Sequence, residues 1–333
     1  MNEIKVFLKP GTPCPLQIAG LPSRYGLTMV GTPGEADWIV VPRIKTALPF
    51  LARYPWKRFL VYTNEPRLSN SCDRQKHLVP LLPPVEIMGV FTGDVFWHHF
   101  HFLGSCHFEI DGDFDIDIHH SLPMLTSKET APDAKPVAAF ISYRLQTNTS
   151  WIVGGIERDL EVPRCSYAQA LHQAGLCDIY GSGWPQGVSE ESSGYTSELG
   201  ASEPWWTRKL KSLAQYRYNI CLENTAADFY CTEKIWHAIQ AGTLPIYWGA
   251  NSRINDLFPK NSFIDLAQFE SPAHLIDFIQ ALPEKDYLDR SNQCREVFNR
   301  CIAQRRDTVA NDPALHMERI MARLRSHNSS PSS

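Results

Sequence analysis

Long apolar runs are missing from the 333 residues. Nothing approaches the ~20 consecutive apolar residues of a membrane-spanning helix. The opening stretch MNEIKVFLKPGTPCP holds no apolar run long enough for a secretion signal. An excess of basic charge is missing too. With 32 Lys and Arg against 36 Asp and Glu, a whole-chain nucleic-acid footprint is excluded. The nine cysteines are odd in number and form no C-x-x-C pair. A disulfide framework or zinc knuckle is thereby disfavoured, and reduced thiols in a cytoplasmic chain are expected. Neither a G-x-x-x-x-G-K-[ST] loop nor a G-x-S-x-G elbow occurs, which sets aside the P-loop and the hydrolase nucleophile. The 24 prolines and 19 glycines are scattered without period, unlike a collagenous or low-complexity chain.

What is present is a globular composition, 43% hydrophobic and 20% charged, in a chain long enough for about two domains. Residues 4–8, 27–30, 38–42 and 59–62 are short apolar runs bounded by turn residues. WIVV at 38–41 and FLVY at 59–62 do not alternate with polar residues, as expected of strands buried on both faces of a parallel sheet. Between these two runs, residues 45–54 have helical apolar spacing. The polar, proline-rich stretch 121–136 reads as a linker, and a second strand–helix series opens at Val137. The pattern predicts an N-terminal α/β domain over 1–135, a C-terminal α/β domain over 136–310, and a terminal helix with a disordered tail over 311–333. In that helix Asp312 would cap and Pro313 take the first position. Met317, Met321 and Leu324 would form one face, with Arg319, Arg323 and Arg325 on the other. Docking of the apolar face into the core is favoured over weak attachment to the inner face of a membrane.

Residues 96–120 carry His98, His99, His101, His107, His119 and His120, with Asp111, Asp113, Asp115 and Asp117. A calcium loop would need glycine where Ile116 stands and glutamate where Leu122 stands. No zinc spacing is present either. A solvated, substrate-facing loop is the preferred reading, and no metal site is expected.

Residues 216–249 read YRYNICLENTAADFYCTEKIWHAIQAGTLPIYWG. An apolar strand over 218–222 leads through a polar loop, 223–230, to a helix capped by Thr232. Ile235, Ala238 and Ile239 form its apolar face, and Gly242 lies just past its end. Another buried strand follows at 244–248. In such βαβ units ligands sit outside the carboxyl ends of the strands, where residues 223–234 fall. Lys234 lies in the first helical turn, where the helix dipole disfavours a cation. A bound anion would resolve that conflict, and so would pairing with Glu233 or exposure to solvent. Upstream, Pro163 and Arg164 precede a short helix (Tyr167, Ala170, Leu171, Ala174) ended by Gly175 and followed by a strand at 177–181. Arg164 would reach the same crevice with a guanidinium suited to phosphate. Arg208, Lys209, Lys211 and Arg217 could add positive potential there, with a solvated helix face the favoured reading.

The run YNICLENTAADFYCTEKIWHAIQAGTLPIYWGANS, with FPKNSFIDL at 258–266, resembles the signature of the α-1,3/α-1,4-fucosyltransferases of glycosyltransferase family 10, of the soluble bacterial type. The family pattern joins F-E-N-[ST], Y-x-T-E-K-[IL] and P-[IV]-Y-x-G in that order. Leu222 replaces the family's aromatic before E-N, and Cys231 is a departure before T-E-K. Arg164, Tyr167 and Leu171, followed by DIYG, resemble an upstream element of the family, and FLVYTNEP at 59–66 resembles its acceptor-side segment.

The resemblance implies a GT-B fold, two facing Rossmann-like domains with the donor held by the C-terminal one. GDP-β-L-fucose would be the donor and a GlcNAc- or Gal-containing oligosaccharide the acceptor, in α-1,3 or α-1,4 linkage. Arg164 and Lys234 would hold the diphosphate and Glu233 the ribose or fucose hydroxyls, while Asn224 and Tyr230 line the donor pocket. Glu65 would be the general base of an inverting single displacement. No tightly bound cofactor or divalent metal is implied. Two alternatives stay open: a GT-B transferase using another nucleotide sugar, and a non-catalytic glycan- or nucleotide-binding protein.

Overall fold

The computed structural model describes residues 3–12, 14–63, 65–93, 120–130, 134–145, 149–191, 203–308 and 313–326. The histidine- and aspartate-rich run up to residue 119 and the proposed cap Asp312 lie outside them.

Six strands form the first sheet: β1 (Ile4–Leu8), β2 (Leu27–Met29), β3 (Trp38–Val41), β4 (Arg58–Tyr62), β5 (Gln75–Lys76) and β6 (Val85–Met88). Their order is β2-β1-β3-β4-β6-β5, with β5 antiparallel to β6 and the other pairs parallel. The non-alternating runs of β3 and β4 occupy the middle, where both faces are covered and nearly every side chain is buried. Helix α1 (Leu21–Arg24) packs beside β2, and α2 (Ile44–Arg53) lies against β3 and β4 through Ile44, Ala47 and Leu51. Beyond β4 the chain enters α3 (Pro66–Ser69), a single turn that opens on a proline.

The second sheet contains β7 (Val137–Phe140), β10 (Cys177–Tyr180), β11 (Ser189–Glu191), β12 (Tyr218–Ile220), β13 (Leu244–Tyr247) and β14 (Ile264–Asp265). A small hairpin, β8 (Ile152–Val153) with β9 (Ile156–Glu157), stands apart from it. Its parallel order β11-β10-β7-β12-β13-β14 is the doubly wound 3-2-1-4-5-6 arrangement, which reverses direction between β7 and β12. Helices α4 (Glu161–Gln173), α5 (Trp205–Leu213), α6 (Glu233–Gln240), α7 (Pro272–Ala281) and α8 (Glu284–Thr308) accompany it. Two Rossmann-like sheets in one chain make the α/β architecture expected of GT-B.

One connection differs from its sequence reading. Within the 121–136 stretch, residues 122–125 are laid along α8 rather than left free. Leu122 and Leu125 each donate their N–H to the side-chain oxygen of Asn299 and Asn292 over 2.7 Å, and both asparagines donate back. The last helix, α9 (Pro313–Ser326), returns to the first sheet. Met317, Ile320, Met321 and Leu324 are buried among Ile4, Val6, Leu27 and Trp38, so this apolar face has no surface left for a membrane. Arg323 leaves the supposed basic face and pairs with buried Glu86 over 2.8 Å. Among the described residues no helix is long and apolar enough to cross a membrane.

Candidate active site

The switch between β7 and β12 places two loops side by side at the carboxyl ends of the sheet. One of them, running from β12 to α6, carries E-N-T at 223–225 and T-E-K at 232–234. The sequence reading made 223–230 a polar loop, and most of it is buried. Ala227 and Tyr230 pack against Ile39, Val41 and Val61 of the first sheet and Phe91 just beyond it. The loop therefore serves as a wedge between the domains.

Glu223 is the hub of this loop, with only 2% of its surface exposed. Its carboxylate accepts the Thr232 N–H at 2.7 Å, the Thr232 hydroxyl at 2.8 Å, the Lys234 ammonium at 2.9 Å and the Tyr247 hydroxyl at 3.4 Å. Thr232 does occupy the N-cap position of α6, in extended conformation, but its hydroxyl caps nothing. It donates to Glu223 and accepts from Lys234 at 2.6 Å. Lys234 also pairs with Glu233 at 3.4 Å. The cation in the first helical turn is thus balanced by two carboxylates of the chain itself, and the dipole conflict does not by itself require a bound anion.

The ionisation of the cluster follows from these contacts. Burial and the neighbouring Glu233 charge push Glu223 up, against the pull of Lys234. Glu233 is also penalised by burial, yet Lys234, Lys209 and His237 together hold it well below the usual carboxylate range. Burial would lower Lys234, but Glu223 and Glu233 outweigh it and keep the ammonium protonated.

Arg164 lies in the first turn of α4, not ahead of it, because the helix starts at Glu161. It is 8% exposed, ion-paired with Glu161, and its Nε has no hydrogen-bond partner. It is near enough to Lys234 to oppose that residue's charge. The crevice therefore gathers Arg164 and Lys234, each steadied by a carboxylate, as a site for an anion requires. Arg144, on the loop after β7, reaches Glu161 at 3.7 Å and adds a third cation that sequence reading missed. Lys209 is another correction. It is buried on α5, with its ammonium 5.7 Å from the Phe140 ring and 5.9 Å from the Trp205 ring, and it acts on Glu233.

The first sheet contributes Glu65. This residue occupies the N-cap of α3, but its side chain caps nothing. Instead Asn224 Nδ2 donates to Glu65 Oε2 at 3.3 Å. Burial first, then the charges of Glu65 and Glu223 and a hydrogen bond to Glu65, push the Tyr230 phenol well above its usual value. Glu65, Asn224 and Tyr230 thus meet at the domain boundary, and Glu223, Glu233, Lys234 and Arg164 lie around the adjoining crevice. Among the described residues no group of three or more His, Cys, Asp or Glu is placed to hold a metal ion.

Comparison with known proteins gives this geometry a relationship. Residues 144–298 match the family model described as glycosyltransferase family 10 (fucosyltransferase), C-terminal part. An α-(1,4)-fucosyltransferase of Arabidopsis thaliana is 31% identical over 121 residues, 36% of this chain and 28% of that protein. An α-(1,3)-fucosyltransferase of Helicobacter pylori is 42% identical over 83 residues, 24% of this chain and 17% of that protein. A GDP-fucose protein O-fucosyltransferase 3 of Bos taurus is 40% identical over 75 residues, 22% of this chain and 16% of that protein. The chain thus spans well under a third of the length of these relatives. A solved α1,3-fucosyltransferase aligns over 94% of this chain and 91% of its own at 16% identity, with a TM-score of 0.46. The same kind of enzyme with GDP-fucose aligns over 86% and 81% at 17% identity, with a TM-score of 0.43. Residues 144–298, which carry the E-N-T and T-E-K motifs and Arg164, are similar to the C-terminal part of the family 10 fucosyltransferases.

Proposed function

We propose that the protein transfers L-fucose from GDP-β-L-fucose to an acceptor hydroxyl with inversion at the anomeric carbon. The observation that supports this reading is the meeting of Glu65 with Asn224 across the domain boundary, beside the Arg164 and Lys234 crevice of a family 10 segment. Glu65 removes the proton of the acceptor hydroxyl as its oxygen attacks the fucose anomeric carbon. The bond from that carbon to the β-phosphate oxygen breaks, and its electron pair leaves with GDP. Arg164, Lys234 and the N-terminus of α6 stabilise the charge that develops on the diphosphate. Glu233, held ionised by its neighbours, accepts hydrogen bonds from donor hydroxyls. Asn224 and Tyr230 line the donor pocket and orient Glu65. With charge neutralised by side chains, a divalent metal is not required.

A GlcNAc- or Gal-containing glycan, in α-1,3 or α-1,4 linkage, is the acceptor we favour, in keeping with the Arabidopsis and Helicobacter relatives. A protein hydroxyl is the second reading, favoured by the O-fucosyltransferase relatives. Free, buried thiols at Cys14, Cys165, Cys177, Cys221, Cys231, Cys294 and Cys301 support work in a reducing compartment such as the cytoplasm. The test is incubation with GDP-fucose and panels of glycans and folded protein acceptors, read by mass spectrometry. Gain of one fucose on a glycan supports the first reading, and gain on a protein the second. Transfer from a different nucleotide sugar, or GDP binding without any turnover, would overturn both.

A further inference from the structure

Two residues beyond Glu65, Arg67 reaches out of α3 into the other domain. Its guanidinium uses the whole fork. One Nη pairs with Asp159, Nε donates to Thr225 Oγ1 at 3.0 Å, and the other Nη donates to the Thr149 carbonyl at 2.9 Å. The plane also lies 5.6 Å from the Trp151 ring centre, and Trp151 Nε1 donates to Asn70 Oδ1 at 3.2 Å. The turn that starts at Glu65 is therefore fastened to the C-terminal domain along its length.

Asp159 gives this fastening its direction. It is 4% exposed, so its charge must be met inside the protein. One oxygen takes Arg67, and the other accepts the Val162 N–H at 3.1 Å, in the first turn of α4. That turn carries Arg164. Asp159 is also bridged to Thr225, the last residue of E-N-T. We infer that Arg67 is a positioning residue: through Asp159 and Thr225 it sets Glu65 on the acceptor side in register with Arg164 and Asn224 on the donor side. Displacement by about 1 Å can cost a reaction on the order of a hundredfold, and lysine, a single flexible point charge, cannot make the three directed contacts of the fork.

The inference rests on the fucosyl-transfer reading, so its test has an arm that does not need turnover. Arg67→Met, Arg67→Lys and the paired variant Arg67→Met with Asp159→Asn are compared with the unaltered protein. The kcat for transfer should fall by about a hundredfold in Arg67→Met while GDP affinity, measured by calorimetry, is kept. Arg67→Lys should recover little of it. Hydrogen exchange at the Val162 amide and across residues 65–70 should quicken in the folded variants. The paired variant leaves no buried carboxylate unmet, and should restore thermal stability without restoring kcat. Unchanged kcat, or GDP affinity and kcat falling together with stability and recovering together in the paired variant, would overturn the positioning role. If the unaltered protein transfers no fucose, the functional reading fails first. Exchange that stays the same in Arg67→Met then overturns the interdomain fastening as well.

Discussion

Asn224 Nδ2 donates to Glu65 Oε2 over 3.3 Å, joining residues 159 positions apart and belonging to different domains. The amide holds the carboxylate at the boundary of the two domains, where the Tyr230 phenol also bonds it. A glutamate that merely started a turn would bond its own helix, and Glu65 does not.

Glu65→Gln keeps the shape and can still accept from Asn224, but it cannot take a proton. Transfer should fall by about 10²- to 10⁴-fold, with GDP affinity unchanged by calorimetry. Near-normal turnover would move the base role to another carboxylate.

The Lys234–Glu223 contact changes what a lysine deletion means. Lys234→Ala strips the buried Glu223 of its cation and should cost stability, on the order of 3–5 kcal/mol for a broken buried pair. Glu223→Gln combined with Lys234→Met removes both charges and should recover most of that loss. GDP affinity should stay weakened in both, roughly ten- to 150-fold for one charged hydrogen bond. Recovery of GDP affinity along with stability would show that Lys234 serves only the fold.

Arg164→Ala should weaken GDP binding by a similar factor, roughly ten- to 150-fold. If both cations hold one diphosphate, its effect should be less than additive with Lys234→Met in the Glu223→Gln background. Strict additivity in a double-mutant cycle would place the two on separate ligand groups.

Activity should persist in excess EDTA, with at most modest stimulation by divalent ions. On the proposed reading, Arg164, Lys234 and the N-terminus of α6 would supply the positive charge that a metal would otherwise bring. Complete loss in EDTA with recovery on adding manganese would refute the scheme.

Alkali should destabilise the fold through its thiols. Burial raises Cys14 and Cys294 to about 12 and Cys72 and Cys301 to about 11, against about 8.5 in an unfolded chain. The folded state then holds protons that the unfolded state releases. Their stabilising share is complete below about pH 8.5 and is lost as pH rises toward the folded values. Each thiol should contribute up to about 1.4 kcal/mol per pH unit across that window. Urea unfolding under reductant should show stability falling with pH there, and the slope should be shallower in Cys14→Ala. A flat profile would contradict it.

Part of this molecule could be read before any coordinates. The non-alternating runs at 38–41, 59–62 and 244–247 became fully buried parallel strands, because a strand covered on both faces has no polar position to reveal. Thr232 and Gly242 bounded α6 as expected, with Gly242 in the left-handed region that glycine adopts without penalty. Those are local constraints, written into neighbouring residues. The terminal helix showed its apolar face as well, but not the surface that would bury it.

The roles of Glu223, Asp159 and Arg67 were decided elsewhere. As letters, Glu223 is one polar residue in a polar loop and Arg67 one cation after a proline. Glu223 became a hub because the chain turns back at α6 and brings Thr232 and Lys234 within 2.9 Å of it. Arg67 met Asp159, 92 residues away, because the packing of two domains closed that distance. Spacing along the chain can encode a helix face or a cap, whose partners are a few residues apart. A buried ion pair between domains depends on how two finished sheets pack together, so only the tertiary structure decided those contacts.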